Sequence, residues 1–121
     1  MTWQPMDLSE LQEMIQRDLA ASSDEERTFF TRVAIQPEKW RQSPYGDHDG
    51  GFWAVAVKGS LVLWYNEIEL GFNVSRFTTW GTIPDDEYWC NQDELQSALP
   101  ALQAVWLGKA SPPRPGDFDP T

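Results

Sequence analysis

The chain has 121 residues and 13.9 kDa, 40% of it hydrophobic and 13% aromatic, which suits one ordinary domain and is too rich in core-forming residues for wholesale disorder. Nineteen acidic against nine basic residues give a formal charge of −10, so the positive surface that phosphate backbones require is missing and direct DNA or RNA binding is not expected. Cys90 is the single cysteine, which rules out an intramolecular disulfide.

Residues Met1 to Met6 carry no basic n-region followed by an apolar run, and the longest apolar stretch, Phe52 to Val57, has strand length rather than membrane-spanning length. A soluble, cytoplasmic protein is therefore the expectation. Asp7-Leu8-Ser9-Glu10 forms a capping box, and Leu8, Leu11, Ile15 and Leu19 then recur at helical spacing, predicting an amphipathic helix to about Ala21. Its acids Glu10, Glu13 and Asp18 fall largely off that stripe.

After the polar run Ser22 to Glu26, the residues Phe29, Thr31, Val33 and Ile35 alternate with Phe30, Arg32, Ala34 and Gln36, a period that predicts a strand. Pro37 should end it or mark a sheet edge. Ser43 to Gly51, with Pro44, three glycines and Asp47-His48-Asp49, reads as a loop able to act as a lid. Those three titratable side chains do not define a closed coordination geometry, so no metal or other cofactor is expected.

Phe52 to Lys58 and Leu61 to Asn66 flank Gly59-Ser60, the pattern of a β-hairpin with a type II′ turn. A regular register from Lys58 opposite Leu61 puts Val57, Val55 and Trp53 on one face with Val62, Trp64 and Asn66, and sets Ala54 and Ala56 on the other with Tyr65 and Leu63. Both faces are apolar, so the hairpin should be central in its sheet. A Trp53/Trp64 face would be core, a ligand pocket, or the patch through which two copies form a two-fold dimer.

A further strand is expected from Phe72, with a bulge or a departure where the apolar parity changes before Phe77. Asn91-Gln92-Asp93-Glu94 offers a second capping box, followed by Leu95, Leu99, Leu102 and Trp106 at helical spacing, with Pro100 either kinking that helix or starting a second one. The tail from Lys109 to Thr121 holds four prolines and reads as weakly ordered. The sum is an α+β domain over residues 1–108, a mostly antiparallel four-stranded sheet carrying an N-terminal and a C-terminal helix, with a Pro-rich tail over 109–121.

Rings beside amides and carboxylates concentrate in Trp64-Tyr65-Asn66-Glu67-Ile68-Glu69, Gly71-Phe72-Asn73 and Tyr88-Trp89-Cys90-Asn91-Gln92-Asp93-Glu94-Leu95. Stiff contact area next to hydrogen-bonding groups is the mixture recognition surfaces use. Trp64, Asn66, Glu67, Glu69, Asn73, Trp89, Asn91 and Asp93 are therefore the candidate binding residues, with Trp53 and Trp64 as the candidate dimer or pocket face.

Catalytic alternatives carry less. Cys90 would need activation at a helix N-terminus and an aligned base, for which His48 is the sole histidine and Asn91, Asp93 or Glu94 the orienting groups. Glu67, Glu69, Asp85, Asp86 and Glu87 could pair as acid and base only at a separation the sequence does not give. No phosphate loop, dinucleotide fingerprint or nucleophile elbow is present.

The three ring-and-amide segments resemble segments of small bacterial proteins of uncharacterised activity, and by size and charge the chain looks like toxin-neutralising immunity proteins or mobile-element cargo. That resemblance implies no catalytic residue. The expected function is a noncatalytic protein-binding module with a basic partner; a small-molecule binder with an aromatic pocket, closed by the Tyr45 to Gly51 loop, and a Cys90-dependent enzyme are the alternatives.

Overall fold

The computed structural model describes residues 6–43, 45 and 50–107; the Asp47-His48-Asp49 triplet and the Pro-rich tail lie outside them. Helix α1 (Leu8–Ala20) starts where the capping box predicts: Asp7 accepts from the Glu10 amide at 2.8 Å, and Glu10 accepts from the Asp7 amide. Leu11 and Ile15 are buried from its apolar stripe.

The next segment corrects the sequence reading. Phe29 to Val33 is not strand but the second half of a helix, α2 (Asp24–Val33), capped by Ser23 with Glu26 in a second capping box and with three acids in its first turn. Phe30 and Val33, three apart, are its buried residues, a helical spacing, whereas Phe29 and Val33, four apart, fit the helical and the alternating period alike. The Thr31 hydroxyl donates to the Arg27 carbonyl one turn back. Ala34 then turns straight from helix into extended backbone.

Strand β1 (Ala34–Trp40) is followed by β2 (Phe52–Lys58), β3 (Leu61–Asn66) and β4 (Gly71–Arg76), four antiparallel strands in chain order across one sheet. The hairpin β2–β3 is central, and Pro37 sits on the edge strand, where its missing N–H costs no ladder bond. Gly59, at φ +60°, supplies the positive angle at the first central position of the turn.

Register holds from Lys58↔Leu61 through Ala56↔Leu63 and then slips: Ala54 pairs Trp64 and Trp53 pairs Tyr65, leaving Val55 as a bulge. One extra residue reverses the facing of everything beyond it. Val55, Ala56, Leu63 and Tyr65 therefore join the core under the helices, with Trp53 packed at its margin, whereas Ala54 and Trp64 belong to the opposite core with Trp40, Phe52, Val62 and Ile83. The Trp53/Trp64 face inferred from a regular register is not formed, and Trp64 is wholly buried.

After Arg76 the chain leaves the sheet, as the parity change anticipates, and the stretch from Phe77 to Trp89 covers the second face, placing Phe77, Ile83 and Tyr88 against the Trp40, Phe52 and Trp64 rings. A short 3₁₀ turn over Asp85–Glu87 lies within it. Helix α3 (Leu95–Trp106) is one helix with Pro100 inside it.

The second predicted capping box does not form. Glu94 occupies the cap position without a side-chain bond, and the Leu95 amide donates instead to Asp18 Oδ2 on α1, at 3.0 Å across 77 residues of sequence. Asp18 is buried, so removing its carboxylate leaves a buried amide unpaired. Asp18→Ala should lower unfolding free energy by about 1–3 kcal/mol, read from the shift in urea midpoint at unchanged slope.

Candidate functional site

The ring-and-amide block divides into an interior part and an exposed part. Asn66, at the end of β3 and fully buried, uses both halves of its amide. Its Nδ2 donates to the Tyr88 hydroxyl and the Trp89 carbonyl, each at 3.0 Å, while Oδ1 accepts from the Ile68 and Glu69 amides at 3.0 and 3.1 Å. One side chain thus shapes the β3–β4 loop and ties it to a segment more than twenty residues away.

Asn73 on β4 repeats the device: its Oδ1 accepts from the Asn91 amide at 2.9 Å, and its Nδ2 donates to the Asn91 carbonyl at 3.3 Å. Ser75 accepts from the Trp64 indole and donates to the Glu87 carbonyl. The Arg76 amide donates to Glu87 Oε1 at 2.7 Å, and the Phe72 amide to the Asp93 carbonyl at 2.8 Å. Residues 87–93 therefore run as an irregular strap along the outer edge of β4, and side chains supply much of what a fifth strand would supply with backbone.

The approach is close enough to require glycine at one position. A Cβ on Gly71 would fall 2.2 Å from the Asn91 carbonyl oxygen and 2.3 Å from Gln92 Cα. Gly71 is thus kept bare by the strap, and the positive φ of this loop is carried by the residue before it. Leu70 has φ +62°, the one non-glycine residue in that region among those described.

Of the candidate binding residues, Trp64, Asn66, Glu67, Asn73 and Trp89 are buried. Asn66 and Asn73 hold strap to sheet, the Trp64 indole donates to Ser75 within the sheet, and Glu67 accepts from the Met6 amide. Glu69 and Asn91 are half-buried and Asp93 is exposed. Asp93 lines a surface groove with Leu70, Glu69 precedes Leu70 in the β3–β4 loop and faces Tyr88 and Cys90, and Asn91 sits in the strap against Asn73; Leu70 at 67% is the most exposed large apolar residue described. Sequence reasoning missed Leu70; its signal was a leucine directly before a glycine in a hairpin loop, where the left-handed conformation favours glycine or asparagine.

His48, the base that a Cys90 nucleophile would need, lies outside the described residues. Cys90 is exposed but precedes α3 by five positions, and burial of its sulfur pushes the thiol up from its ordinary value, reinforced by Glu69, against a lowering bond from Tyr88. A raised thiol pKa is the opposite of nucleophile activation. Glu87 accepts a backbone amide from Arg76, while Asp85 and Asp86 are exposed on the 3₁₀ turn. Among the described residues no cluster of three His, Cys, Asp or Glu could hold a metal, and no helix is long and apolar enough to cross a membrane. Tyr45 stacks on Tyr88 at 4.4 Å between ring centroids.

Glu87 has its own pH signature. Burial pushes its carboxyl up from the ordinary 4.5, outweighing the Arg76 amide that lowers it. A carboxyl that holds its proton more tightly when folded adds stability as pH falls through the raised value, and the gain levels off below the unfolded value. The difference in unfolding free energy between wild type and Glu87→Gln should accordingly move in favour of wild type from about pH 7 to about pH 4. A constant difference across that range, measured by chemical denaturation, contradicts this.

No family model, no curated protein and no solved structure matches this chain.

Proposed function

We propose that the protein is a noncatalytic binding module that docks another protein at the end of the sheet bearing Glu69, Leu70, Asn91 and Asp93. Leu70 is the observation that carries this reading. A leucine in the left-handed region costs about 1–2 kcal/mol relative to glycine, and its side chain gains little by burial in return, being 67% exposed. A residue that breaks both the conformational and the hydrophobic rule, and that stays largely uncovered by the described residues, is accounted for by contact with a partner.

The setting agrees with a polar-rimmed protein interface: one apolar knob on a loop fixed by Asn66, with Asp18, Asp93 and Glu94 lining the surface beside it. The net charge of −10 favours a basic partner through steering and complementarity. An immunity-like or mobile-element role in a bacterial cytoplasm is compatible with this chemistry and is the context in which to seek the partner.

Leu70→Asp and Leu70→Gly separate the two roles of the side chain. Both should fold, the glycine variant with about 1 kcal/mol more stability from relief of φ strain, and both should lose a partner that co-purifies with wild type from the source cell. Retention of that partner at wild-type yield on both variants would remove Leu70 from the interface and this reading with it.

A further inference from the structure

Beside Leu70 the surface dips into a groove of about 140 Å³ between α1, the sheet end and the start of α3. Met14, Tyr65, Leu70 and Phe72 form its apolar lining, and Asp18, Asp93 and Glu94 supply three carboxylates against one guanidinium, Arg17, at the rim. Resting on the proposed docking reading, we infer that this groove receives a single arginine side chain from the partner protein, with the partner's neighbouring apolar residue packed on Leu70.

Size, charge and wall chemistry select that occupant. Small-molecule sites run to about 300–1,000 Å³, so this groove is too small for a drug-sized ligand and suits one extended side chain. Arg17 makes no ion pair with any of the three carboxylates; the Arg27–Asp24 pair is the one salt bridge among the described residues. Asp18 spends Oδ2 on the Leu95 amide, and no other described residue hydrogen-bonds its second oxygen. Asp18 as a residue is 7% exposed.

The local field is negative enough to be felt by the lining itself: burial first, then the Asp18 and Glu67 carboxylates, push the Tyr65 phenol up from its ordinary value. Tyr65 and Phe72 are buried and form the floor, so the accessible apolar wall is Met14 and Leu70, which suits the aliphatic stem of an arginine, whose planar, weakly hydrated guanidinium is desolvated more readily than a compact ammonium. Two carboxylates at the mouth, Asp93 and Glu94, allow forked hydrogen bonding. Asp93 is anchored through its own carbonyl by the Phe72 amide, leaving its side chain exposed.

The probe is N-acetyl-arginine methylamide, titrated into the isotopically labelled full chain while amide resonances are followed, with the neutral isostere N-acetyl-citrulline methylamide as control. Saturable shifts should centre on Asp93, Glu94, Leu95 and Leu70, with affinity about tenfold above that of citrulline. Asp93→Asn with Glu94→Gln should abolish the difference; neither side chain makes a folding contact among those described, since Asp93 acts through its backbone and Glu94 caps without its carboxylate. Equal response to both probes, or arginine shifts spread over Glu10, Glu13 and Glu25 on the helices, overturns the inference. If the partner is lost on Leu70→Asp while arginine finds no groove, the arginine inference falls and the docking surface stands; if arginine binds here but the partner ignores Leu70, the docking reading falls, and this inference with it.

Discussion

The outer edge of β4 is the constraint on which the rest of this structure depends. A sheet edge exposes a row of backbone donors and acceptors, and leaving them unpaired next to a core invites both water and other chains. Here the edge is closed by residues 87–93, which do not form a strand. Asn66, Asn73, Ser75 and Glu87 bridge the gap with side chains, and each is buried, so each must be satisfied or the fold loses the net value of the bond plus a desolvation penalty.

From that closure several features follow. The strap crosses Gly71 so closely that a side chain there is excluded, and the positive φ demanded by the loop falls on Leu70 instead. The same strap carries Tyr88 over the Trp64 and Phe52 rings and delivers Glu94 and Leu95 to the point where Asp18 of α1 caps α3. Both layers around the sheet, and the exposed knob at its end, are thus set by one polar clamp. A buried carboxyl inside the clamp makes it sensitive to protonation.

The sequence carried the sheet and its neighbours well where the signals were local. The capping box of α1, the Gly59-Ser60 turn and the four-strand order needed only adjacent residues. What it concealed involved one extra residue or a distant partner. Phe29 and Val33 fit two periods at once, and the deciding cue was the Ser23 to Glu26 capping box ahead of them. The Val55 bulge leaves no mark in an alternating apolar run, yet it sends Trp53 and Trp64 to opposite faces. The ring-and-amide block stood out correctly as specific. Much of that specificity is spent inward, since Asn73 meets Asn91 across 18 residues and no local pattern encodes such a meeting; the outward remainder is small and centres on a leucine that composition alone gave no reason to notice.

Native-state amide hydrogen exchange tests the clamp most directly. The account predicts that the Phe72, Arg76 and Asn91 amides, each held by the strap contacts, exchange as slowly as the amides at the centre of β3 and open with them in one cooperative unit. Fast, loop-like exchange of these three amides while β3 remains protected would contradict it, because the strap would then be a loose cover on β4 and not the element that closes the sheet.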